Sequence, residues 1–228
     1  MASLPVRSLS LLAAAVLALA PSARAAEAPE DIRFKVEKLL EGMPQPMHLE
    51  FGPDGRIWLN EYTGALKVYD PKTKRVTLVA EIEAFKQQEN GFLAFALDPK
   101  FAQNGWIYLI YSPLGFDGQH LSRFTIKEDK LVAGSEKLIL KYEEQRLTCC
   151  HHGATLKFGP DGCLYFSTGD NTSPFGDSQG FAPLDQRPGK EAFDGQRTSA
   201  NTNTLVGKVN RIRVHDDATY SIPEGNLF

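Results

Sequence analysis

The stretch Thr148–Asp170, TCCHHGATLKFGPDGCLYFSTGD, carries the clearest structural signal in the chain. Leu156 and Phe158 alternate with Thr155 and Lys157, the period of a strand with one apolar face. Gly159-Pro160-Asp161-Gly162 reads as a turn: proline presets φ, aspartate caps, and the last glycine takes a positive φ. Leu164-Tyr165-Phe166-Ser167 then resumes as a β-rich run. The same stretch holds two of the three cysteines and two of the five histidines. Cys149-Cys150-His151-His152 thus stands at the mouth of a hairpin, and loops on a rigid scaffold are where chemistry is usually placed.

The hairpin recurs outward along the chain. His48 to Phe51 runs into Gly52-Pro53-Asp54-Gly55 and out through Ile57-Trp58-Leu59. Phe92 to Leu97 runs into Asp98-Pro99 and out through Trp106-Ile107-Tyr108-Leu109. Prolines 53, 99 and 160 mark the three units, at intervals of 46 and 61 residues. Further strand-like runs follow each hairpin: 65–69 and 75–82, then 121–126 and 137–141, then 205–214. Four short strands per unit at this period predict blades of a β-propeller, an all-β fold. Trp58 and Trp106 are read as equivalent strand positions packed between blades. Ile32–Leu40 also alternates like a strand. No amphipathic helix of useful length is predicted, the nearest candidate being a short one around 81–88. The polar segment 171–204 interrupts the third unit, and a loop of that length is often functional. Three blades fall short of the four to eight of a closed ring, so the chain is expected to be the N-terminal part of a longer propeller.

Residues 1–25 read as a secretory signal: Arg7, an apolar run from Leu9 to Leu19, and Ala23-Arg24-Ala25 as a small-x-small cleavage site. The run is too short to span a membrane comfortably. The expected mature domain is 26–228, exported to the periplasm or secreted. Losing Arg7 and Arg24 but no acid takes the formal charge from −3 to −5. A mildly acidic chain without a basic block argues against nucleic acid as a partner. Three cysteines leave two arrangements open: one of Cys149 or Cys150 bridged to Cys163, or a vicinal Cys149–Cys150 bond. Two adjacent thiols and two adjacent histidines also offer soft-metal donors, but without the usual CxxC spacing.

HHGATLKFGPDGCLYFSTGD, followed by LVGKVNRI and SIPEGNLF, resembles the soluble quinoprotein glucose/sorbosone dehydrogenase family. Glu89–Ser112, ENGFLAFALDPKFAQNGWIYLIYS, is similar to that family's second-blade signature, and the resemblance covers about residues 45–228. It implies a six-bladed propeller that binds pyrroloquinoline quinone (PQQ) and calcium near its axis. It also implies oxidation of a sugar or related alcohol, with the electrons passed to an external acceptor. The family's general base lies seven residues before the hairpin phenylalanine, which is His151 here. A neutral imidazole suits removal of an alcohol proton near neutral pH. The resemblance places Glu89 facing the substrate, and Asp170 and Arg197 (with Asn203) are further candidate substrate contacts. His152 is read as structural or as part of the rim. Cys149 and Cys150 are candidate cofactor contacts, by analogy with another class of PQQ alcohol dehydrogenases that sets a vicinal disulfide against the quinone. The family's cofactor arginine and calcium-holding carbonyls lie beyond Phe228. Cys150 replaces the acid that precedes the histidine in the best-known glucose-oxidising member, which weakens glucose as the substrate. The competing readings are a non-catalytic binding propeller and a calcium-dependent lactonase on a related scaffold.

Overall fold

The computed structural model describes residues 33–175 and 178–227; the signal-like segment 1–25 lies outside them. The chain divides into two compact units, Met1–Lys38 and Leu39–Phe228. The described part of the first forms no strand, and Phe34 and Val36 are 72% and 93% exposed. The alternation over 32–40 therefore does not become a strand; period-two hydrophobicity needs a partner ladder to hold it extended. Residues 82–91 form a loop rather than the short helix considered there.

The second unit is built of three antiparallel sheets. The first comprises β1 (Pro46–Phe51), β2 (Ile57–Glu61), β3 (Ala65–Asp70) and β4 (Arg75–Glu81), in that order. The second comprises β5 (Phe92–Leu97), β6 (Trp106–Tyr111), β7 (Gly118–Lys127), β8 (Lys130–Leu131) and β9 (Lys137–Glu143), with β7 pairing both β8 and β9. The third comprises β10 (Ala154–Phe158), β11 (Leu164–Thr168), β12 (Val209–Val214) and β13 (Tyr220–Ser221). One four-residue helix, α1 (Phe101–Asn104), fills the β5–β6 turn.

Side-chain alternation on the middle sheet explains how the sheets stack. Phe92, Phe95, Leu97, Ile107 and Leu109 face the first sheet, meeting Trp58, Leu66, Val68 and Val79. Leu93, Ala94, Ala96, Tyr108 and Ile110 face the third, meeting Leu156, Leu164, Phe166 and Ile212. With both faces covered, every residue of β5 is buried and the strand reads as a continuous apolar run. The outer sheets each cover one face and leave Leu49, Phe51, Leu78 and Val209 exposed on the others. The first strands of the three sheets lie together. Glu50 on β1 accepts from the Leu97 amide of β5 at 2.8 Å and pairs with Lys157 of β10 at 2.9 Å. One carboxylate thus ties the innermost strands of all three blades.

The Gly-Pro-Asp-Gly turns form as expected, with Gly55 at φ 82° and Gly162 at φ 72°. Asp54 and Asp161 each accept the amide two residues on, from Arg56 and Cys163, at 3.0 Å. The first glycine of each turn is there for space. A Cβ on Gly52 would come 2.9 Å from Trp58 Nε1, and one on Gly159 would come 2.6 Å from the Tyr165 ring. In the second sheet Asp98 takes the glycine's place, and Tyr108 reaches it by a 3.0 Å hydrogen bond from its hydroxyl. This register corrects the pairing of the tryptophans. Phe51 faces Ile57, Leu97 faces Ile107 and Phe158 faces Leu164. Trp58 therefore matches Tyr108 and Tyr165, and Trp106 falls two residues earlier, where it stacks under the Arg123 guanidinium at 3.8 Å. The α1 insertion in the second turn hid that offset.

Among its described residues, the segment 171–204 carries only a 3-10 turn at Glu191–Phe193 and an isolated bridge between Leu184 and Asp194. The segment is nonetheless packed down: Ser173, Asp185, Phe193 and Thr198 are buried, and the Ser173 amide donates to the Ala192 carbonyl at 2.8 Å.

Candidate functional site

The three blades repeat one backbone arch where the innermost strand begins. Tyr62, Ser112 and Gly169 donate their amides to the carbonyls of Gln45, Gly91 and Gly153, each at 2.9 Å. Counting back two residues from Gly91 and Gly153 gives Glu89 and His151, so these two occupy the same place in successive blades. Both are non-glycine residues at positive φ, 69° and 60°. Such backbone costs energy and concentrates at functional sites. The arch brings the pair together: the His151 amide donates to Glu89 Oε2 at 2.7 Å. Gly169 closes the site from below; a Cβ there would come within 1.9 Å of the His151 carbonyl oxygen, so only glycine fits.

Asp170, next along, places Oδ1 2.9 Å from His151 Nδ1 and accepts the Thr172 amide at 3.1 Å. The His151 side chain is 47% exposed and the Asp170 side chain 30%. A carboxylate on Nδ1 holds the proton there, so the neutral ring presents the Nε2 lone pair outward. Of the residues singled out in the sequence, Glu89, Cys149, Cys150, His151 and Asp170 therefore converge. Cys149 and Cys150 are bonded to each other, and Cys163 is a buried free thiol. Arg197 makes no hydrogen bond to this group among the described residues. Its Nε donates to the Glu191 carbonyl at 2.9 Å, and its side chain lines an open cavity of about 760 Å³ with Asp117, Glu144, Asn171 and Thr198. Asn203 lines another cavity, beside Tyr165 and Asn210.

Two features were not visible in the sequence. Tyr62, at the end of the first blade's arch, has its phenol pKa raised by burial and then by the nearby Glu89 charge. Behind His151 lies a polar chain in the interior. His152 Nδ1 meets Glu144 Oε2 at 2.8 Å, with both side chains fully buried. The same oxygen accepts from Gln119 Nε2 at 2.7 Å, and Asn171 Nδ2 contacts His152 Nε2 at 3.2 Å. Gln119 in turn binds Asn90 and Ser112. Asn90 holds in the second blade the position that His152 holds in the third. His152 is buried and hydrogen-bonded, and the partners in this chain come from residues scattered over 90–171.

Three stacked antiparallel blades, with polar loops gathered where their innermost strands begin, define the chain as part of a β-propeller. It belongs to the glucose/sorbosone dehydrogenase family, whose model matches residues 43–228. Quinoprotein glucose dehydrogenase B of Acinetobacter calcoaceticus is 30% identical over 175 residues, covering 72% of this chain and 36% of that protein. Hedgehog-interacting protein of Mus musculus is 26% identical over 224 residues, covering 84% of this chain and 28% of that protein. The PQQ-bound aldose sugar dehydrogenase of Streptomyces coelicolor superposes with a TM-score of 0.63 at 22% identity, over 85% of this chain and 50% of that one. The chain thus spans half or less of the length of these relatives. No helix among the described residues is long and apolar enough to cross a membrane.

Proposed function

We propose that the chain supplies the proton-accepting and hydroxyl-orienting side of a PQQ-dependent sugar dehydrogenase exported to the periplasm or secreted. The observation that carries this reading is the His151–Asp170 pair, half exposed at the start of an innermost strand. His151 Nε2 takes the proton of a substrate hydroxyl. Asp170 keeps Nδ1 protonated and stabilises the imidazolium that forms. Glu89 binds the His151 amide with Oε2 and offers Oε1 to a neighbouring hydroxyl. A bound PQQ would supply the acceptor for the hydride that leaves the carbon bearing that hydroxyl.

The described residues fit such a quinone on one side only. The Cys149–Cys150 sulfurs present a soft, polarisable surface suited to an aromatic face. The cluster is acidic, and among the described residues neither Glu89 nor Asp170 is paired with lysine or arginine. Groups outside this cluster must hold the quinone carboxylates and any calcium. The test is reconstitution of the full-length protein. PQQ with calcium, but not PQQ alone, is expected to support reduction of an artificial electron acceptor by an aldose. No PQQ-dependent optical change on titration refutes the reading. The match to Hedgehog-interacting protein favours a second reading, a propeller that binds a protein partner without turnover. That reading stands if the reconstituted protein binds no quinone and His151→Ala leaves its biological role unchanged.

A further inference from the structure

We propose that Glu89, Cys149 and Cys150 form a redox-gated site for one soft divalent cation, empty while the two sulfurs are bonded and formed when they are reduced. A carboxylate oxygen of Glu89 and the two Sγ atoms lie within 4.8 Å of one another. Zinc takes thiolate at about 2.3 Å and carboxylate at about 2.0–2.2 Å, so tetrahedral ligand atoms sit roughly 3.5–3.8 Å apart. Opening the S–S bond lets the sulfurs move to that spacing with side-chain rotation alone.

The surroundings favour a cation over two free thiols. The Glu89 Oε2 atom is engaged by the His151 amide, which fixes the carboxylate, and Oε1 carries no hydrogen bond among the described residues. Gln145 Nε2 holds the Thr148 carbonyl at 3.1 Å and steadies the approach to Cys149. Cys150 is 3% exposed, whereas Cys149 is half-buried and Glu89 exposed, so the cluster is dry behind and open in front. The sequence lacks CxxC spacing because the third ligand comes from the preceding blade, through the repeated arch that sets Glu89 beside His151. The chemistry balances. Two electrons and two protons pass to the S–S bond from a dithiol, which leaves as its own disulfide, and cation binding then releases the thiol protons.

The experiment uses full-length protein without PQQ and cadmium as the probe. The protein is reduced with dithiothreitol, desalted without oxygen and titrated, following the ultraviolet thiolate-to-cadmium charge-transfer absorption. One cadmium per chain is expected in the reduced protein and none in the oxidised protein. Cys163→Ser should bind as the wild type does. Cys149→Ser should lose the absorption, and Glu89→Gln should weaken binding by about tenfold or more. The site is refuted if the reduced wild type binds no cadmium, if Cys149→Ser binds like the wild type, or if Glu89→Gln leaves affinity unchanged. Comparing oxidised with reduced wild type needs no variant, so a folding defect in Cys149→Ser leaves the proposal open to refutation.

Discussion

His151 is held twice, by its amide on Glu89 and by its ring on Asp170. The second contact decides what the ring does. Replacing Asp170 by Asn turns an acceptor into a group whose amide donates to Nδ1, which moves the ring proton to Nε2 and removes the outward lone pair. Asp170→Asn in the full-length protein should therefore lower kcat by about 10²–10⁴, with far less effect on KM. Steady-state kinetics with an aldose checks this. Glu144 sits behind with its side chain buried and Oε1 unpartnered among the described residues. Glu144→Ala strips His152 and Gln119 of their shared acceptor, and leaving a buried polar group unsatisfied costs about 1–3 kcal/mol. Urea unfolding should show that loss as a lower midpoint. At this scale residue type and motif spacing singled out His151, which does meet Glu89 and Asp170. The sequence was silent on Tyr62 and on the Glu144–His152 contact, whose partners meet only when separate strands close.

The hairpin is the unit that repeats. Its turn aspartate does electrostatic as well as conformational work: Asp161 accepts the Cys163 amide and pairs with Arg211 of β12 at 2.8 Å. The Cys163 amide, followed by the Arg211 and Tyr165 contacts, holds the Asp161 carboxyl well below the usual carboxylate range. A depressed folded pKa means that the folded state binds fewer protons than the unfolded chain. The stabilisation is present above the unfolded value of about 3.9 and is lost as pH falls below it. Urea midpoints at pH 6 and pH 3 should therefore fall less in Asp161→Asn than in the wild type. The hairpins were readable because turn chemistry and period-two alternation agree. The choice between disulfides follows from the same hairpin. Cys149 and Cys150 precede β10, while Cys163 lies past its far end, beyond a five-residue strand of roughly 3.3 Å per residue. That span excludes a Cys163 bridge, and Cys163 turns into the interior instead.

For the molecule as a whole, one blade covered on both faces and two covered on one explain the exposed apolar residues on the outer sheets. The propeller was legible because its repeat survives in three copies. The misread parts are those without a repeat to check them: the unpaired alternation over 32–40 and the helical insertion that shifts Trp106. The arch at the head of each innermost strand was not legible, since it is defined by backbone hydrogen bonds rather than by residue type. It accounts for Glu89 and His151 meeting across blades. The central claim is that His151 accepts the substrate proton at this inner rim. Its most direct test is the single-turnover rate at which an aldose reduces the quinone of the reconstituted full-length protein, followed across pH in wild type and His151→Ala. The account predicts a wild-type rate that rises with pH to a plateau as one group loses its proton. It also predicts a variant slower by about 10²–10⁴ that lacks this rise while still binding the quinone. A variant with the wild-type rate and pH profile would contradict it.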